Sequence, residues 1–218
     1  MDFLDITLLT GAFVTFFVVI DVPGVAPIFA GLTDGTSAAH RAKMAFKSVA
    51  IATLVLVGFA YGGEWLLGAL HISLDAFRAA GGVLLFLIAL DMIFEKRTKR
   101  REERAEKVSD ETDPHTEHED ISVFPMAIPM IAGPGAIASI MLFMSQASGS
   151  VGAQVSVLIG LGANLVICLI VFLMIGPVMK LMGDTIAAMI TRILGVILAA
   201  LAAQFIFDGV RGALLTAA

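Results

Sequence analysis

The sequence is poor in the residues that build water-soluble and secreted proteins. It has one cysteine, one tryptophan and one tyrosine, and only 15% of its 218 residues are charged. A lone cysteine, Cys168, excludes an internal disulfide, and within an apolar run it reads as a small buried residue. Soluble domains carry roughly 25% charged residues, so the shortage of charge argues against a water-soluble fold. The first residues hold Asp2 and Asp5 but no Lys or Arg, the wrong start for a cleaved secretory peptide, and the first apolar segment is expected to be retained. The net charge of −5 says little, because a bilayer would separate the compartments over which it is summed. No nucleic-acid partner is expected.

What remains is hydrophobic, 58% of the chain, and the charge is concentrated: residues 95–120 hold 17 of the 33 formal charges. A spanning helix needs about 20 mostly apolar residues. Runs bounded by charge or turn residues predict spans near 6–31, 41–67, 75–94, 121–145, 154–177 and 186–210. The fold class expected is all-α, a polytopic membrane protein with six transmembrane helices. The units are residues 1–94, a charged loop over 95–120, and residues 121–218, joined in one membrane domain. Twelve Lys and Arg fall in loops one, three and five, against Arg78 and Arg211 on the other side. Positive residues favour the cytoplasm, so the loop 95–120 is expected inside and both termini outside, which in a bacterial inner membrane is the periplasm.

Two of the spans carry helix breakers. The first is interrupted at Asp21-Val-Pro-Gly-Val-Ala-Pro27, and the fourth holds Pro125, Pro129 and Ala132-Gly-Pro-Gly-Ala136. Proline removes a backbone donor and glycine loosens the helix, so each segment should unwind locally. Backbone freed at that depth is tolerable only where it is buried in protein or lines a watery cavity. Pro23-Gly24 matches Pro134-Gly135 at an offset of 111, and the Arg78-x-x-Gly81 motif matches Arg192-x-x-Gly195 at an offset of 114. The pattern predicts a three-helix unit written twice. With an odd number of spans per unit, the second copy is inverted, and a binding site is expected where the broken first and fourth helices meet.

Asp21 is the one carboxylate expected near the bilayer centre. There it would need a proton, a cation or backbone donors, and it could equally cap the second half-helix. Asn164, mid-span, maps close to Thr53, and reads either as interhelical glue or as a ligand contact. Gln204 and Ser139 are weaker candidates of the same kind. Arg78, Arg192, Glu64, Asp91 and Asp208 lie toward span ends and read as solvated, snorkelling or capping residues. His115 and His118 have spacing that could bind a metal, but in a polar stretch where nothing fixes their geometry.

At Asp21-Val-Pro-Gly-Val-Ala-Pro-Ile-Phe29, Phe124-Pro-Met-Ala-Ile-Pro129, Ala132-Gly-Pro-Gly-Ala-Ile137, Arg192-Ile-Leu-Gly195 and Gln204-Phe-Ile206, the chain resembles the MarC family of bacterial inner-membrane proteins, nearly end to end. The resemblance implies a place in a lysine-exporter-like superfamily, some of whose MarC relatives are regarded as carriers of small neutral amino acids. One departure is that Val22 separates Asp21 from Pro23, where the family usually writes an Asn-Pro or Asp-Pro dipeptide.

The expected function is secondary transport of a small polar solute, a neutral amino acid such as glycine or alanine, by alternating access, and not enzymatic catalysis. The substrate-binding residues expected are Asp21, Pro23, Gly24, Thr53, Gly133, Pro134, Gly135 and Asn164, with no resident metal or cofactor and with a proton or Na⁺ as coupling ion. Alternatives are a cation or metal-ion exporter, suggested by the histidine loop, and a membrane protein with no transport activity. An intramembrane aspartyl protease needs two carboxylates at one depth, whereas Asp91 lies near a span end. A haem site is disfavoured because His40 and His71 lie at span boundaries. The partners are the solute and the lipid bilayer, and a homo-oligomer is compatible with the sequence.

Overall fold

The computed structural model describes residues 4–94 and 120–216. Its elements are α1 (Ile6–Ile20), α2 (Val22–Leu32), α3 (Ala38–Ala69), α4 (Leu74–Ile93), α5 (Ser122–Ile131), α6 (Pro134–Gln146), α7 (Val151–Leu173) and α8 (Ile175–Thr216). No strand occurs among the described residues. The starts of the helices follow from short polar side chains. Asp5, Ser37, Ser73 and Ser150 accept from the N–H groups of Leu8, His40, Ala76 and Ala153, satisfying donors that a helix leaves orphaned. His115 and His118 lie outside the described residues.

Five helical stretches are long and apolar enough to cross a bilayer, among them Ile6–Leu32, which joins α1 to α2, and Thr185–Leu214 of α8. The pair α5 and α6, bent by 55°, makes a sixth when counted as one span. The chain is thus an all-α, multi-pass membrane protein. Large apolar side chains such as Leu54, Trp65, Ile193 and Phe207 are exposed, as acyl chains require, while Phe16, Ile20, Phe29, Met126, Leu142 and Phe172 fill the interior.

The interruption expected over residues 21–27 is narrower. Only Asp21 leaves the helical conformation, and α2 resumes at Val22 with Pro23 in its first turn, where a missing N–H costs no hydrogen bond. The fourth span departs further from regularity. Its α5 is wound with wide, π-type hydrogen bonds, Phe124 and Ile128 are extended, and both precede cis prolines. In α8 the helix is broken at Gly183, with φ 61°, a left-handed value that suits glycine.

The pairing of helices is reciprocal. α1 runs parallel to α7: the Asp5 N–H donates to Ser156 Oγ (2.9 Å) at one end, and Asn164 Nδ2 donates to the Phe13 carbonyl (2.9 Å) further along. α3 runs parallel to α5 and α6, from the Lys47–Asp120 ion pair at one end to Gly63 beneath Met141 at the other. α4 and α8 are antiparallel and form the most extensive pair. In that pair Gly82 lies under Ile206, and Gly195 lies under Met92. Helices α1 to α4 make few contacts with one another; each packs chiefly on helices of the second half.

Candidate functional site

Asp21 sits between α1 and α2 with φ 56° and ψ 57°, the left-handed conformation that Asp and Asn enter more readily than other non-glycine residues. This turn brings its side chain over the amino end of α2. Its carbonyl accepts from the N–H groups of Gly24 (2.9 Å) and Val25 (3.0 Å), and its Oδ1 accepts from the Gly24 N–H at 3.3 Å. Thr191 of α8 donates its hydroxyl to the same Oδ1 at 2.8 Å. Asp21 is fully buried and Thr191 nearly so. Glycine is required at position 24, since a Cβ there would lie 2.9 Å from both Asp21 Cγ and Thr191 Oγ1.

The second break spans Ala132 and Gly133, and α6 begins at Pro134. Gly133 is its N-cap and has no side chain with which to satisfy the first amides of α6. A Cβ on Gly135 would come within 2.8 Å of Ile88 and 3.0 Å of Val19, so α6 starts hard against the last turn of α1. Val19 is two residues before Asp21. The start of α6 at Gly135 therefore adjoins the last turn of α1, just before the break at Asp21.

Asn164 and Thr53 are engaged differently. Asn164 donates to the carbonyls of Phe13 (2.9 Å) and Gly160 (2.8 Å), which ties α7 to α1, and its buried Oδ1 has no hydrogen-bond partner. Thr53, half-buried on α3, turns its hydroxyl back to the Val49 carbonyl (2.7 Å). Gln204 is exposed and donates to Asp208.

Residues the sequence reading passed over are polar ones on α1 and α8. Thr191 is the clearest; its only sequence signal is its place beside the repeated Arg-x-x-Gly motif. Thr15 and Ser139 are fully buried, and neither hydroxyl has a hydrogen-bond partner. Gly11 lies against Phe143 and Val19 against Gly135, a register that sets Thr15 opposite Ser139 where α1 crosses α6. Thr33, Thr53 and Ser156 bond the carbonyl four residues earlier, whereas the buried Ser48 hydroxyl of α3 is also without a partner. Leaving a buried hydroxyl unpaired costs about 1–3 kcal/mol, so Thr15 and Ser139 mark a polar seam with unused capacity.

Among the described residues, no group of three or more His, Cys, Asp or Glu is placed to hold a metal ion. At the membrane edge, burial alone would raise the Asp120 carboxyl, but Lys47 and Ser122 outweigh it and hold it down from 3.8 to about 2.

A six-span frame, one buried acid at a helix break and a second break against it are the features a family comparison must account for. The model of the MarC family of integral membrane proteins matches residues 6–214. The chain belongs to the MarC family. Relatives within this MarC group include a UPF0056 membrane protein of Methanocaldococcus jannaschii, 37% identical over 94% of this chain and 96% of the relative. YvbG of Bacillus subtilis is 34% identical over 92% of each chain, and YhcE of Escherichia coli is 30% identical over 96% of this chain and 95% of its own. Both carry the same UPF0056 description as membrane proteins. No solved structure matches the chain.

Proposed function

We propose that this MarC protein is a secondary transporter that moves small polar solutes, best matched by neutral amino acids such as glycine or alanine, by alternating access. The observation that carries the reading is the fully buried Asp21 carboxyl at a one-residue helix break, lying beside a second break whose helix has no side-chain cap. An ionisable group in a membrane interior is costly and is retained where it handles a charge.

The geometry divides the labour between the two breaks. Asp21 already caps the amino end of α2, so the amides at the start of α6 are the ones left for a solute carboxylate. Asp21 is then the partner for the ammonium group, or for a coupling proton or Na⁺, and Thr191 orients it. Gly133, partly exposed, keeps backbone accessible before α6, Gly24 and Gly135 allow the close packing of Asp21, Thr191 and Val19 around the breaks, and Thr15, Ser139 and the Asn164 carbonyl oxygen continue the polar seam.

An inverted repeat is supported by the reciprocal packing. The offset of 114 that relates Gly81 to Gly195 also relates Met92 to Ile206, and each of those two side chains lies over glycine of the opposite half. Residues 1–94 and 121–218 are on this reading the two halves of one membrane domain, and they rock about the breaks. The Lys and Arg distribution supports a cytoplasmic-membrane location with both termini outside and residues 95–120 inside. Asp21, the only acidic side chain in the buried set among the described residues, fits the single charge-handling group of a carrier.

Counterflow of labelled glycine or alanine into proteoliposomes tests the proposal. Accumulation above that of empty vesicles is expected, and Asp21→Asn should abolish it. Flux equal to that of empty vesicles for both amino acids would overturn it.

A further inference from the structure

The two ends of the molecule differ at positions the repeat makes equivalent. At the end bearing Arg41 and Lys43 in the first turns of α3 and Lys180 in α8, Phe29 of α2 stacks on Phe172 of α7 with ring centroids 4.2 Å apart and planes 8° from parallel. Both rings are fully buried. The offset of 111 that relates Pro23 to Pro134 pairs Phe29 with Ile140 and Phe172 with Tyr61. At the opposite end Ile140 is fully buried, and Tyr61, the counterpart of Phe172, opens onto a cavity of about 70 Å³ that it walls with Glu64, Met141, Met144, Ser145 and Gln154. Tyr61 is 60% exposed, whereas its counterpart Phe172 is sealed.

Glu64 is the sole acidic group on the cavity wall, and no Lys or Arg lines it. The tyrosine ring and the methionine sulfurs around it are soft, polarisable surfaces that favour a cation over an anion. The space is large enough to hold water or one ammonium head.

We propose that this cavity is the open mouth of the transport path and a recruitment site for the ammonium end of the solute, and that the Phe29–Phe172 stack is the same position in its closed form at the other end. The inference rests on the carrier reading for its purpose. Glu64 draws a small primary ammonium compound to the mouth, ahead of its transfer toward Asp21, while the aromatic stack keeps the cytoplasmic side shut.

Thiol labelling tests this without any flux. The native Cys168 is fully buried and gives little background. Gln154→Cys is treated with impermeant methanethiosulfonates bearing either trimethylammonium or sulfonate, each rate being normalised to that of a free thiol. Glu64 a few ångströms away changes each rate about fivefold in water, raising the cation's and lowering the anion's, so the cationic reagent should be favoured by about thirtyfold, and Glu64→Gln should remove the preference. Glu64 is exposed, so that variant keeps the fold. Thr33→Cys, a small change at a buried position one turn beyond Phe29, should react from the cytoplasmic face more slowly than Gln154→Cys does from the other, by about tenfold or more. Absence of a charge preference, or its survival in Glu64→Gln, would overturn the recruitment site. Equal rates at positions 33 and 154 would overturn the closed stack. Counterflow that fails while labelling behaves as expected would refute the carrier reading and leave the charge-selective cavity standing.

Discussion

Asp21 combines a backbone conformation and a charge that substitution can separate. Asn enters the left-handed region almost as readily as Asp and also caps helices, so Asp21→Asn preserves the turn into α2 and removes only the ionisable group. Thermal unfolding should move by no more than about 1 kcal/mol, while counterflow of glycine or alanine is lost. Thr191→Val removes the hydroxyl that donates to Asp21 Oδ1 and leaves the volume unchanged; the expected cost is about 1.5–3 kcal/mol if the carboxyl is charged and about 1 kcal/mol if it is neutral, read by thermal unfolding. The same logic separates two glycines of α2. A methyl at Gly24 would press on Asp21 and Thr191, whereas at Gly31 it would meet nothing within 4 Å. Gly24→Ala should therefore depress both stability and flux, and Gly31→Ala should leave both intact or gain up to about 1 kcal/mol from helix propensity.

At the scale of helices, the Lys47–Asp120 pair fastens the start of α5 to α3 at the charged face. The Asp120 carboxyl is held below its unfolded value, so its contribution is present above about pH 3.8 and is lost as pH falls through about 2. Both side chains are nearly half exposed, 44% and 45%, which limits the contribution to about 1 kcal/mol or less. The stability difference between the parent and Asp120→Asn should persist at neutral pH and vanish in strong acid, as followed by denaturant unfolding.

Helices were also what the sequence exposed best. Charges and turn residues bracket the apolar runs, so the first four expected spans agree with the helices within a few residues and Pro-Gly pairs located both breaks, whereas the span 154–177 overran the end of α7 at Leu173 and 186–210 missed the part of α8 before Gly183. The extent of the first break was less legible, because proline opens a helix as easily as it closes one, and α2 resumes directly after Asp21. Thr191, Thr15 and the opposition of Thr15 to Ser139 were not legible at all. They depend on which spans lie side by side, and apolar runs of similar composition carry no mark of their neighbours.

For the whole molecule, the α4–α8 seam predicts matching defects in the two halves. At Gly82 a Cβ would lie 2.8 Å from the Ile206 nitrogen, and at Gly195 it would lie 2.9 Å from Met92 Cβ and 3.1 Å from the Ala89 carbonyl oxygen. Backbone cannot step aside as a flexible side chain does, so Gly82→Leu and Gly195→Leu should each destabilise by about 1–3 kcal/mol or more through overpacking, measured by thermal unfolding in detergent. If the halves are equivalent, the two losses should be similar.

The reciprocal pairing also bears on how the protein is made. Because α1 rests on α7, α3 on α5 and α6, and α4 on α8, the ribosome releases four helices whose proper neighbours have not yet been synthesised. Fragment 1–94 expressed by itself should thus be cleared by quality-control proteases. Supplied with 121–218 as a separate polypeptide, it should be rescued, and the two pieces should copurify.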